Sequence, residues 1–443
     1  MNLILDKPKK LFIHYLIAAL GGALIVSVYS LIDTAMIGQY EGSLGVAAIA
    51  CISPMWNLIY SSGLLVGMGG ATIMATKFGN EEYDEGKKTF TVGLILALII
   101  SITVALIMIF FEDQLLILFG ADEELLPLCK KYLKYLKFSY PMFTFAQFLI
   151  PFVRNDRAPM TATISTLIAG VLNAIGDYLC VFVFDLGIVG AGIATAFGQY
   201  IACFYLFIHF FSKENNLKIV KVDKFLKRAK EVFSVGIPVF VLDIAMGILA
   251  IVMNNSIMKY FDSDALAVYG VILNANILVQ ASAYAIGNCA QPLISNNLGG
   301  KKYDRIISFT KLSVMTCCLF TIVWVSFLMF TPTQWIKLFM IPNQRVLEIA
   351  PFIMRSYYTS YLFMIFNVFM TYYLQAILKQ RMSFIITILR GLIFSILFIT
   401  ILPLINKQLL WYSMLLDEIL ISIIGGYLII KYSKEIKNQS IDI

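Results

Sequence analysis

LFIHYLIAALGGALIVSVYSLIDTAMIGQY, residues 11 to 40, decides the fold. About 20 apolar residues cover the hydrocarbon core of a bilayer. This stretch exceeds that length and carries a single acid, Asp33. A carboxylate there costs roughly 2.5–3.5 kcal/mol on insertion scales, so an acid kept in a membrane helix faces a cavity, a partner or an ion. Tyr29 lies one turn before Asp33 on the same helical face, where the two side chains can share a site. The plainer reading is a wet carboxylate near the membrane surface, since Gly38 follows five residues later.

Composition points the same way. Of 443 residues, 60% are hydrophobic and 14% charged, and mean hydropathy is +0.83. These values exclude soluble globular, disordered and nucleic-acid-binding classes. The net charge of +7 then belongs to basic loops beside a lipid bilayer, and no nucleic-acid partner is expected. Residues 11 to 40 are too long for a signal-peptide core and lack a small-residue cleavage signature, so the helix is expected to remain. The seven cysteines are scattered through apolar runs with no metal-ligand spacing, which predicts free thiols.

Twelve apolar runs separated by short polar loops predict twelve transmembrane helices: 11–37, 44–76, 89–111, 126–153, 159–183, 187–211, 232–260, 265–296, 306–330, 346–378, 382–404 and 409–430. Positive charge accumulates in cytoplasmic loops. With the N-terminus inside, 25 Lys and Arg fall on the inner side and nine on the outer, so both termini are expected in the cytoplasm. The basic loop 212–231 divides the chain into an N-lobe (1–211) and a C-lobe (232–431), followed by a tail (432–443). At an offset of 220 residues FGNEEYDE (Phe78 to Glu85) matches LGGKKYDR (Leu298 to Arg305), and Gly67 matches Gly287. Two six-helix halves of the same orientation are implied, related by an axis along the membrane normal. Gly21, Gly22, Pro54, Pro141, Pro238 and Pro292 mark candidate bends. Gly67, Gly69, Gly70 and Ala71 permit close helix packing.

The fifth run places Asn173 and Asp177 four residues apart on one helical face. Counted from Asp185, Asp177 is ~12 Å deep, and Thr195 of the next run reaches a similar depth. Two carboxylates, an amide, a phenol and a hydroxyl in one lobe have the composition of a site for a proton or a hard cation such as Na⁺. In the second lobe Asp243 sits near mid-membrane, with Asn274, Asn276, Gln280 and Asn367 on neighbouring runs. Amides in membrane helices commonly serve as interhelical glue, and these four carry that reading too. At the 220-residue offset Asp33 falls on Met253 and Asp177 on Leu397, so the first-lobe acids are not repeated. His14 and His209 read as interface anchors near inner helix ends. Abundant Phe, Tyr and Met suit a cavity for varied lipophilic cations. GMGGAT around Gly67 lies inside a membrane helix and fails the context of a phosphate loop. No hydrolase triad or HExxH is present, so no enzyme is expected.

VYSLIDTAMIGQY at the first helix end, FVRNDRAPM (Phe152 to Met160), LNAIGDY with LGIVGAGIAT, and GIPVF at the seventh helix start together resemble the multidrug and toxic compound extrusion (MATE) family, and the RND run is similar to its Mep-type bacterial branch. The resemblance covers essentially the whole chain. It implies an all-α polytopic membrane protein, with twelve transmembrane helices in two pseudo-twofold-related six-helix lobes around a central V-shaped cavity. It also implies exchange of organic cations for H⁺ or Na⁺, with no other cofactor. Tyr29, Asp33, Asn173, Asp177 and Thr195 match the first-lobe cation site of that family, and Gln147 falls where relatives commonly carry Asn. Two departures stand out. A first-helix proline is replaced by Ala18, and the tenth-helix acid of some sodium-coupled relatives is absent, with Asn367 the nearest polar residue. The expectation is a monomeric antiporter of the bacterial cytoplasmic membrane, with Asp243, Gln280, Asn274 and Asn367 lining the substrate cavity. A lipid-linked precursor flippase of the same superfold is the alternative, which Arg390 in the eleventh run keeps open. A passive channel or receptor-like protein is a third.

Overall fold

A computed structural model describes residues 3–121, 123, 125–339 and 342–441. Among the described residues every regular element is helical. The helices are α1 (Pro8–Gly79), α2 (Tyr83–Phe110), α3 (Glu112–Leu118), α4 (Leu125–Leu136), α5 (Tyr140–Asn155), α6 (Pro159–Asp177), α7 (Gly187–Leu206) and α8 (Phe225–Tyr260). They continue with α9 (Ser263–Gly299), α10 (Tyr303–Phe330), α11 (Pro332–Phe339), α12 (Gln344–Tyr358), α13 (Tyr361–Ala376), α14 (Gln380–Ile388), α15 (Phe394–Ile405) and α16 (Ser413–Ile441). Two widened π-type turns, Tyr178–Val183 after α6 and Leu389–Ile393 between α14 and α15, interrupt the regular bonding.

Nine helical segments among the described residues are long and apolar enough to cross a bilayer. The other expected crossings are helical as well, though composed differently. The run 126–153 is divided into α4 and α5 by a tight turn at Lys137–Ser139, and 346–378 is divided into α12 and α13. The run 11–37 lies inside α1. The outward faces are apolar: Leu98, Ile99, Ile102 and Leu106 on α2, and Met315, Leu319 and Ile322 on α10, are all exposed. In water such surfaces would drive aggregation; in lipid they match the solvent.

Helical bonding runs without a break through α1, where the sequence predicts a loop between residues 37 and 44. Its neighbours nevertheless require a reversal. In the first half, Thr163 donates to the Ala18 carbonyl at 2.6 Å and Tyr40 donates to Asp185 at 2.5 Å, so this half runs parallel to α6. In the second half, the Cys129 thiol reaches the Ala48 carbonyl and Gly70 lies against the Phe152 ring, so it runs parallel to α4 and α5. Because α5 and α6 are joined only by Asp156–Ala158, they are antiparallel, and α1 must double back between Tyr40 and Ala48. Gly45 marks the fold: a Cβ there would stand 2.6 Å from Glu41 Cβ, against roughly 5–6 Å for residues four apart in a regular helix.

The chain forms two compact units, residues 1–5 with 17–240 and residues 6–16 with 241–443. In unit 1, α7 packs on α4, α5 and α6, and α2 packs on α5. In unit 2, α9 packs on α10, α12 and α13. Pro141 stands in the first turn of α5, directly after the tight turn at Lys137–Ser139, where its missing N–H leaves no bond unmade. The small residues do permit close approach within unit 1: a Cβ on Gly236 would overlap the Leu65 carbonyl, and one on Gly69 the Val232 carbonyl. Gly236→Ala is therefore expected to cost about 1–3 kcal/mol through overpacking. A lower thermal midpoint of the purified variant would register it; an unchanged midpoint would show that the two backbones can separate freely.

The RND run acquires a structural role. Asp156 is buried and binds three groups: His209 Nε2 at 2.7 Å, the Asn216 backbone N–H at 2.8 Å and Asn216 Nδ2 at 2.9 Å. His209, expected as an interface anchor, is thus a buried partner of that carboxylate. The contact ties the segment after α7 to the α5–α6 corner. Farther along, Val220 donates to Thr91, and Asp223 meets both Lys88 and Arg228. The Lys88 ammonium, Asp223's own backbone and Arg228 together hold the exposed Asp223 carboxyl down at about 2. Asp156→Ala would take the acceptor from the buried His209 and from the Asn216 backbone N–H, while Asn216 Nδ2 keeps the Glu214 carbonyl, at about 1–3 kcal/mol for the buried group. Faster amide exchange over 213–222 is the expected sign, and unchanged exchange would remove Asp156 as the anchor.

Candidate functional site

In unit 1, α6 carries Asn173 and Asp177 one turn apart, both buried, with Asp177 the last residue before the widened turn at Tyr178–Val183. Such turns free backbone groups and recur at functional positions. Asn173 Nδ2 donates to Asp177 Oδ1 at 3.3 Å and to Thr195 Oγ1 of α7 at 2.9 Å. From α1, the Asp33 carboxyl meets that of Asp177. From α4, Tyr132 reaches Asp33 Oδ2 at 3.5 Å. Four of the residues predicted from sequence, Asp33, Asn173, Asp177 and Thr195, are therefore brought together. Tyr29 is helical, but its side chain lies outside the described residues. Gln147 packs beside Gly63 and makes no hydrogen bond to the cluster. Tyr132, fully buried, was not found from sequence. It sits on a short helix rich in Lys that reads as an outer loop edge.

The bonding of this cluster is incomplete in one direction only. Asp33 Oδ1, Asp177 Oδ2 and Asn173 Oδ1 are buried oxygens that receive no hydrogen bond from the described residues. All three are hard acceptors. Among the described residues no basic side chain bonds either acid. Two facing carboxyl groups with three unused oxygens and a hydroxyl alongside fit a proton or a small hard cation in donor chemistry.

Unit 2 is arranged differently. Gln280 donates to the Tyr284 hydroxyl at 3.0 Å, which donates to Asp243 Oδ1 at 3.1 Å, so Gln280 and Asp243 are linked through a phenol. Asn274 donates to the Gly270 carbonyl of its own helix. Asn367 belongs to another group. Its Nδ2 donates to the Glu418 carbonyl at 2.8 Å and to Oε2 at 2.6 Å, while Ser422 donates to its Oδ1. Arg390 forks onto Glu418, through Nε at 3.0 Å to both oxygens and Nη2 at 2.7 Å to Oε1. Asp417, one residue before, is fully buried beside Ser395. Asp417 and Glu418 escaped the sequence reading; both lie inside the run 409–430, and an uninterrupted look for acids in it would have found them.

Comparison with known proteins follows the same lines. The MatE family model matches residues 18–179 and 238–401. The multidrug export protein MepA of Staphylococcus aureus (strain NCTC 8325 / PS 47) is 29% identical over 398 residues, covering 88% of this chain and 86% of its own. MepA of Staphylococcus saprophyticus is 30% identical over 387 residues, covering 86% and 84%. Among solved structures, the outward-facing conformation of a multidrug resistance MATE family transporter of the MOP superfamily superposes with a TM-score of 0.91 at 18% identity, covering 98% of each chain. At that identity the superposition speaks for the fold alone.

Proposed function

The chain belongs to the MatE family, and from that membership we propose a secondary antiporter that exports lipophilic organic cations in exchange for H⁺ or Na⁺. It resides in the bacterial cytoplasmic membrane with both termini inside, 1–211 and 232–431 forming its repeated halves. The observation that carries the coupling is the meeting of three acceptor oxygens, on Asp33, Asn173 and Asp177, that no described residue donates to. Facing carboxylates without a basic partner repel across a medium of low dielectric. A proton or Na⁺ placed between them removes the repulsion, and a cationic cargo competes for the same charge. Exchange follows when each ligand binds the two conformations unequally. MepA of Staphylococcus aureus, named a multidrug export protein, supports the export of drugs. The lipid-precursor alternative loses the residue that favoured it, because the Arg390 guanidinium is already forked onto Glu418 and is not free for a phosphate.

The reading is tested in proteoliposomes, by following export of an ethidium-like dye with a pH gradient or a sodium gradient imposed separately. Acceleration by one of the two is expected. Flux indifferent to both would leave a passive pathway.

A further inference from the structure

We propose that Asp417 is a second proton-binding carboxyl, held in unit 2, which carries its hydrogen in the structure described here and exchanges it with the cavity beside Arg390. Hydrogen counting leads there. Ser395 Oγ stands 2.5 Å from the Arg390 carbonyl oxygen and 2.6 Å from Asp417 Oδ2, both hydrogen-bond distances. A hydroxyl has one hydrogen to donate, and a carbonyl oxygen has none. Were Ser395 to donate to an ionised Asp417, its lone pairs would face those of the Arg390 carbonyl with no hydrogen between them. Were it to donate to the carbonyl, an ionised Asp417 would face it in the same way. Both contacts are satisfied only when the acid is protonated, Asp417 donating to Ser395 and Ser395 donating to the Arg390 carbonyl.

Charge and space agree with that count. Among the described residues Arg390 is the cation that faces Asp417, and its guanidinium is taken by Glu418, whose carboxylate is completed by Asn367. The pair is neutral, so an ionised Asp417 would be an uncompensated buried charge. Asp417 Oδ1 is buried and receives no hydrogen bond from the described residues, and the residue lines a cavity of about 30 Å³ with Leu242, Asn276, Tyr357, Arg390 and Glu418. One water needs roughly 10–15 Å³ by the same measure. The remaining ionisable groups around the cavity are phenols: Tyr357 from α12 and Tyr361 from α13, with Tyr284 of α9 beyond Arg390 and Asp243 of α8 bonded to it. Release is balanced simply. The O–H bond of Asp417 breaks, a cavity water takes H⁺ as hydronium, and the carboxylate left behind accepts the Ser395 hydroxyl in place of the Arg390 carbonyl.

Infrared difference spectra of the purified full-length protein test it. Asp417→Asn keeps a donor for Ser395 and should fold. Its spectrum should lack one protonated-carboxyl C=O stretch present in the wild type at neutral pH. Ser395→Ala should keep that band but move it to higher frequency, because the acid loses its acceptor. Wild-type and Asp417→Asn spectra that superimpose would overturn the proposal, as would a band that Ser395→Ala leaves unmoved. A part for this proton in coupling rests on the antiport reading. It is measured as protons taken up per dye cation expelled from proteoliposomes, expected to be lower in Asp417→Asn. Equal ratios would remove Asp417 from coupling, whereas a wild type without gradient-driven flux would sink the antiport reading and leave the infrared result standing.

Discussion

Asp177→Asn is expected to cut gradient-driven dye export severely while leaving the protein folded and inserted. Asparagine has the shape of the acid and keeps an oxygen for Asn173 Nδ2, which now bonds Asp177 Oδ1 at 3.3 Å. What it removes is one negative charge from a pair that has no basic partner. Asp33 alone then has less to gain from binding a proton or Na⁺, and the charge for which the two cations compete is halved. Coupling free energies between sites are ordinarily about 1–3 kcal/mol, or 5–150-fold in affinity, so the gradient's effect on flux should shrink by that order. Asp33→Asn should act alike, and the double variant should be little worse than either single one, since each alone already breaks the pair. The check is dye efflux from expressing cells and from proteoliposomes, with equal membrane insertion verified first. Full export by either variant would take both carboxyls out of the mechanism.

That site was legible because its clues are local. Asn173 and Asp177 share a face by spacing alone, and an acid inside an apolar run is conspicuous whatever the fold. Depth counted from the loop end then aligned Thr195 with them. Tyr132 was hidden for the opposite reason: it lies among Lys130, Lys131 and Lys134, and only the packing of α4 on α7 turns it inward. The doubling of α1 is a third case. Residues 38 to 47 contain three glycines yet stay helically bonded, and the reversal shows in three dimensions alone, through contacts with α4 and α6 and the close approach at Gly45.

The pairing of Arg390 with Glu418 shows what linear spacing conceals, since 28 residues and a widened turn separate partners that meet at 2.7 Å. It also carries the largest expected loss of stability. Both side chains are buried, and Glu418 relies on Arg390 for charge and on Asn367 for one further hydrogen bond. Arg390→Met fills much of the same space but strands the carboxylate. Removing one member of a buried pair costs about 3–5 kcal/mol, because the other charge is left uncompensated. Converting both, as Arg390→Met with Glu418→Leu, removes the stranded charge, and the Glu418 backbone carbonyl still accepts from Asn367 at 2.8 Å. The double variant should therefore recover most of the loss. Thermal unfolding in one detergent, with the wild type and all three variants side by side, separates the cases: a single variant as stable as the wild type would mean that water reaches Glu418, and a double variant no better than the single one would mean that the network shapes the α14–α16 corner by geometry and not by charge.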